Sequence, residues 1–156
     1  TATPKNAAGS LPTLSTGKST GPEILEARVT ALLTEGFTPA SISNGTLYSN
    51  LTGYYIVNHW PVAQYNLGHV PGAVQYEPKV DLKLATNLKT LPTDKPVVVY
   101  CYTGQTSASV AFILRTLGYD AKSLLYGANA MFYDTMPGTK FVPSTEIKGY
   151  PYVTGS

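Results

Sequence analysis

The stretch Cys101-Tyr102-Thr103-Gly104-Gln105-Thr106-Ser107 holds the only cysteine in the chain and follows the apolar run "PVVVY" at 96–100. Apart from Tyr102 its members are small or polar, and none is charged. A strand ending at Tyr100 and a helix starting near Thr106 or Ser107 leave a short loop between them. The backbone N–H groups of such a loop can curl inward beside the free N–H groups of the helix start. That arrangement cradles an anion without a cationic side chain. A thiol at the base of the cradle sits in the same field, which favours the thiolate. Gly104 permits the bend, and Thr103, Thr106 and Ser107 bring hydroxyl donors. The chemistry this suits is a thiolate that attacks, or carries sulfur on, a small anionic substrate. A buried inert cysteine accounts for the residue but not for its loop. A phosphatase-type loop also has this shape, and the loop residues alone leave the two chemistries open.

The elements that must hold this loop are legible on either side. "TGPEILEARVTALLTEGF" carries a capping box at Thr20 and Glu23, Pro22 in the first turn and Gly36 as a stop, which predicts a helix. Leu25, Val29, Leu32 and Leu33 give it an apolar stripe. A second, weaker helix is expected over 38–51, strands over 54–57 and 73–76, and a helix over 81–91 with Leu82, Ala85 and Leu88 on one face. The run 96–100 reads as a central parallel strand covered on both faces. A helix over 106–118 and a strand over 121–126 follow. Strands alternating with helices across short connections predict an α/β fold with a mostly parallel sheet. In such sheets ligands bind beyond the carboxyl ends of the strands. Three ends carry polar residues: Asn58-His59-Trp60, Glu77-Pro78-Lys79, and Cys101 onward. Asn58, His59, Trp60 and Lys79 are therefore candidates for the pocket rim, with His59 placed where a catalytic group can sit and Lys79 able to supply positive charge. His69 reads as a structural hydrogen-bonder in its turn.

The 156 residues amount to one domain, and 43% hydrophobic residues make a globular chain. A net charge of +2 with only 13% charged residues points away from nucleic acid and anionic membrane surfaces. No segment reaches the ~20 apolar residues of a membrane span. The Thr-, Ser- and Pro-rich start and the low charge predict an exported protein, periplasmic or extracellular. No His, Cys and Asp cluster has metal-ligand spacing, and no metal or other cofactor is expected.

Three motifs in order resemble one family. "GHVPGAV" at 68–74 is similar to its "GHIPGA" turn. "VYCYTGQTSASVAFILRTLGY" at 99–119 is similar to its active-site strand, loop and helix. "SLLYGANAMFYD" at 123–134 is similar to its closing strand and "GG…W" segment, with Ala128 and Phe132 at two motif positions. The chain thus resembles the rhodanese-like sulfurtransferase domain. The resemblance implies a single rhodanese-like α/β domain over 38–134, its mostly parallel sheet flanked by helices. An accessory helix at 22–37, a flexible lead at 1–21 and a C-terminal extension at 135–156 lie outside it.

It further implies that Cys101 is the nucleophile and becomes a persulfide, with Tyr102, Thr103, Gly104, Gln105, Thr106 and Ser107 binding the substrate. The partners implied are a small sulfur donor such as thiosulfate, and a thiol or cyanide-like acceptor. The six-residue loop length matches the sulfurtransferases and is one residue shorter than in the related phosphatases. The departures are specific. Thr106 and Tyr102 stand where relatives often have basic residues, Asn58-His59-Trp60 replaces "D-x-R", and Gln64 replaces a Glu. Neutral groups thus replace a carboxylate–arginine network, which disfavours dianionic thiosulfate. Arg115, eight residues beyond Ser107, is roughly 12 Å up the helix and out of reach. The alternative implied is a rhodanese-fold module without turnover, one that binds or senses a sulfur or selenium species or a partner protein.

Overall fold

Val97–Tyr100 (β4) is buried at every residue and forms the middle of a five-stranded sheet. The computed structural model describes residues 2–138 and 140–155. The strand order is β1-β5-β4-β2-β3, where β1 is Ser41–Ile42, β2 Tyr55–Asn58, β3 Val74–Gln75 and β5 Ala121–Leu124. All four pairings are parallel, which is why a continuous apolar run rather than an alternating one marks the centre. Period-two alternation divides the buried residues between two faces. Val57, Val97 and Val99 pack with Ala111 and Leu114 of the helix Gln105–Thr116 (α4 of the chain) on one face. Ile56, Val98 and Tyr100 pack with Leu47, Trp60, Val70 and Ala128 on the other.

The helix Gly21–Glu35 (α1) starts at Thr20, whose N–H and hydroxyl both donate to the Glu23 carboxylate. It buries none of its residues. Its anchor is polar: Arg28 donates to the carbonyls of Arg115 and Thr116 at the end of α4, and Arg115 pairs with Glu35. Both arginines of the chain are thus spent joining two helices.

Three expectations need correction. The 38–51 segment is not one helix: a 3₁₀ turn at Thr38–Ala40 leads into β1, and only Asn44–Ser49 (α2) is α-helical. Ser43 starts α2 anew, its hydroxyl accepting from the Thr46 N–H. The 81–91 segment is not an α-helix either, but turns followed by a 3₁₀ stretch at Leu88–Thr90. Thr86 donates to the Val80 and Asp81 carbonyls and the Asn87 amide to the Asp81 carboxylate, so side chains capture what a helix would need.

The N-terminal segment, expected as a flexible lead, is fastened to the domain. Thr3 bridges Val74 at the sheet edge, Lys5 pairs with Asp81 at 3.2 Å, and the Gly9 N–H donates to the Lys89 carbonyl. Pro12 and Leu14 pack on Gly118, which ends α4 with φ +96° and has no room for a Cβ. Covering β3 in this way shields an otherwise open edge. Thr1, Thr139 and Ser156, within the expected lead and C-terminal extension, lie outside the described residues. Among the described residues no helix is long and apolar enough to cross a membrane.

Candidate active site

Cys101 directly follows β4 and is only 3% exposed. Its sulfur receives the Gly104 N–H at 3.3 Å and the Ser107 N–H at 3.4 Å, with the Ser107 hydroxyl at 3.6 Å. Both N–H donors belong to the start of α4, whose positive end faces the sulfur. Ser107 is fully buried, and its hydroxyl also donates to the Gly104 carbonyl and meets Ser123 at 2.8 Å. The curl depends on Gly104, at φ +92°, where a Cβ would lie 3.0 Å from the Tyr126 nitrogen and 3.2 Å from the Leu124 oxygen.

The segment after β5 clamps the loop from outside. Ala128 N–H donates to the Cys101 carbonyl, and both the Asn129 N–H and its side-chain amide donate to the Tyr102 carbonyl. Gly127, at φ +54°, lies so close that a Cβ would meet the Cys101 oxygen at 2.4 Å. That contact explains the glycine within "YGAN". Tyr102 stacks on Trp60 with ring centroids 4.7 Å apart and planes 11° from parallel. Trp60 is fully buried and also meets Tyr100 and Phe132 edge-on. It is therefore a wall of the site.

The end of β2 is polar and dry. Asn58 donates to the Tyr100 hydroxyl at 2.6 Å, so it braces the strand beside Cys101 and is not a rim residue. Asn58 Oδ1, His59 Nδ1, Trp60 Nε1 and Gln64 Oε1 are buried without a hydrogen-bond partner among the described residues. Asn58, Trp60 and Gln64 occupy the positions expected for an acidic–arginine–acidic network, so neutral residues have taken its place and left polar atoms unpaired. Burial lowers the His59 pKa from its ordinary value, opposed by the nearby carboxylates of Glu77 and Asp81. Burial raises the pKa of Tyr102, with the negative charges of Cys101 and Glu77 adding to it. Glu77 accepts the Val62 N–H and the Gln75 amide. Lys79 is exposed in the loop after β3 with φ +64°.

The structure thus brings Cys101, Gly104 and Ser107 together and stacks Tyr102 beside them. The Thr103 and Thr106 hydroxyls, expected as donors to the sulfur, are not among its hydrogen-bond partners, and Thr106 and Gln105 are exposed on the first turn of α4. His69 sits in its turn with Nδ1 2.9 Å from the Tyr65 carbonyl and its ring stacked on Tyr65. Sequence reasoning missed Ser123 and Glu77. Ser123 lies on β5 and is 7% exposed, and a small hydroxyl buried on a strand beside the cysteine was the available signal.

The sequence pattern of the rhodanese-like domain matches residues 49–132. No curated protein matches the chain. Among solved structures, a rhodanese-related protein from Thermoplasma volcanium is 24% identical with a TM-score of 0.55, over 62% of this chain and 94% of that one. A protein from Lactobacillus plantarum is 24% identical with a TM-score of 0.52, over 70% of this chain and 95% of that one. A protein from Bacillus halodurans is 17% identical with a TM-score of 0.51, over 71% of this chain and 82% of that one. These likenesses establish a shared fold.

Proposed function

Because the chain belongs to the rhodanese-like domain family, whose fold is tied to sulfur transfer, we propose that it is a sulfurtransferase working through a persulfide on Cys101. The Cys101 thiolate attacks the sulfane sulfur of a small donor. The donor's bond to that sulfur breaks, and the remnant leaves with the electron pair. With thiosulfate the products are the Cys101 persulfide anion and sulfite. A thiol or cyanide-like acceptor then attacks the outer sulfur and returns the thiolate, giving ping-pong kinetics.

One observation carries the reading: the Gly104 and Ser107 N–H groups converge on the sulfur at the start of a helix. Fixed donors of this kind stabilise an anionic sulfur both before and after loading, without reorganisation. Treating the purified protein with a donor and weighing the peptide that contains Cys101 tests it. A gain of one sulfur on that peptide supports the proposal, and an unchanged mass with every donor tried ends it.

A second reading has its own support. The loop lacks a cation, and Glu77 is close enough to act on both Tyr102 and His59. A dianionic donor meets repulsion there, so the domain can serve instead to receive one sulfur or selenium atom and hold it, as a sensor or for a partner protein. Steady-state turnover separates the two, since a sensor is modified once and stops. Export to the periplasm or cell exterior, proposed from the composition alone, is tested by locating the protein in cell fractions.

A further inference from the structure

His59 is the one buried titratable ring near the thiol that the reaction above leaves without a task. Asn58 pairs in register with Tyr100 on adjacent parallel strands, and the His59 N–H continues that ladder by donating to the Tyr100 carbonyl at 3.0 Å. His59 and Cys101 are therefore the next rung, with Cα atoms roughly 5 Å apart. Neighbours on one rung of a parallel pair share a face. Two residues earlier, Val57 and Val99 both face the α4 side. The Cys101 sulfur lies on that side, bonded to Ser107 of α4. The 77–81 loop, whose carboxylates act on the His59 ring, packs on it as well.

The ring is 8% exposed and its Nδ1 has no partner among the described residues. The other groups of this neighbourhood are committed. The Ser107 hydroxyl serves Gly104 and Ser123, Glu77 Oε2 accepts from Val62 and Gln75, and the Asp81 oxygens accept from Glu77, Asn87 and Lys5. The charged groups acting on the ring are Glu77 and Asp81, with Lys5 entering through its pair with Asp81.

We infer that His59 is the proton acceptor for the Cys101 thiol, an inference that rests on the sulfur-transfer reading above. As the sulfur attacks the donor, its proton passes to the neutral imidazole. The donor's bond to the sulfane sulfur breaks, its remnant leaves with the electron pair, and the proton on His59 is then free to follow the remnant or to go to solvent. A neutral base at this place supplies what a loop without arginine lacks, and it does so without attracting a particular charge of substrate.

The test uses two readouts that do not depend on sulfur transfer. The first is the rate of Cys101 alkylation by iodoacetamide against pH. The wild type should carry an acid limb lying below the ordinary imidazole value of about 6.5. His59→Asn should lose that limb and react about tenfold or more slowly at neutral pH, the low end of general-base effects. The second uses the unmodified sequence. Alkylating Cys101 should move the His59 ring signals and their titration in NMR spectra, while the His69 ring, stacked on Tyr65, stays in place. If His59→Asn does not fold, this second measurement decides alone. An unchanged pH–rate profile in His59→Asn, or His59 signals blind to Cys101 alkylation, overturns the assignment. Should both effects be present while no donor loads sulfur, the sulfur-transfer reading falls and the thiol–imidazole pair stands. Loading that proceeds normally in His59→Asn with no coupling overturns the assignment alone.

Discussion

Ser107 meets the Cys101 sulfur with both its backbone N–H, at 3.4 Å, and its hydroxyl, at 3.6 Å, and joins the sulfur to Ser123 on the neighbouring strand. The backbone donor is fixed by the fold, whereas the hydroxyl can be removed. Ser107→Ala keeps the N–H and leaves Ser123 and the Gly104 carbonyl short of a partner. A buried polar group left unpaired costs about 1–3 kcal/mol, so the variant should unfold at lower denaturant by that amount. Sulfur loading should slow by less than the ~100-fold expected of losing a whole oxyanion donor. Chemical denaturation and loading rates, measured side by side, check both halves.

The exposure of Thr106 on the first turn of α4 bears on substrate charge. Thr106→Arg places a guanidinium at the mouth of the cradle, able to hold an oxyanion in a fork. A charge-assisted hydrogen bond is worth roughly 1.5–3 kcal/mol, so KM for thiosulfate should fall about ten- to a hundredfold. A neutral donor should gain little. Equal responses from charged and neutral donors would show that the neutral loop does not select against anions.

Stability should carry the mark of His59. Burial holds its folded pKa below the unfolded value of about 6.5. Below that value the unfolded chain takes up a proton that the folded chain refuses. Stability is therefore full above it and declines as pH falls toward the folded value. Asp81 acts in a lower window: burial opposes its ionisation, but the Glu77 N–H, Asn87 and Lys5 outweigh this and hold its pKa below 3.8. Denaturation across the mildly acidic range should show a slope in the wild type that His59→Asn lacks. A slope retained in the variant would assign it to another group.

Arg28 offers a control away from the chemistry. Its guanidinium donates to the carbonyls of Arg115 and Thr116, and α1 buries no side chain of its own. Arg28→Ala should lower stability by roughly 1.5–3 kcal/mol, about 3–12 °C in Tm. Cys101 alkylation should be unchanged, because Arg28 binds the far end of α4. Calorimetry and alkylation together decide whether α1 is only an appendage or also supports the loop.

What the sequence disclosed and what it hid follow from the range of the interactions. Val97–Tyr100, the Cys101 loop and α4 are local, their apolar runs and glycine lying within a few residues, and they were legible. The 81–91 segment has helical spacing at Leu82, Ala85 and Leu88, yet Thr86 and Asn87 bond back to Asp81 and hold turns instead. No periodicity count registers that competition. The fastening of residues 3–14 depends on Val74, Asp81, Lys89 and Gly118, all far along the chain, so a segment without periodicity looked free. In the site, the cysteine and its donors were readable because one loop supplies them. Ser123 and Glu77 come from other strand ends, and only the strand order brings them near.

The central claim is that Cys101 accepts and passes on a sulfur atom, and mass spectrometry of the intact protein through one cycle tests it most directly. Donor treatment should add the mass of one sulfur to the wild type, a thiol or cyanide should remove it again, and Cys101→Ser should gain nothing while keeping its fold. A mass that never changes in the wild type, or a sulfur gained equally by Cys101→Ser, would contradict the account.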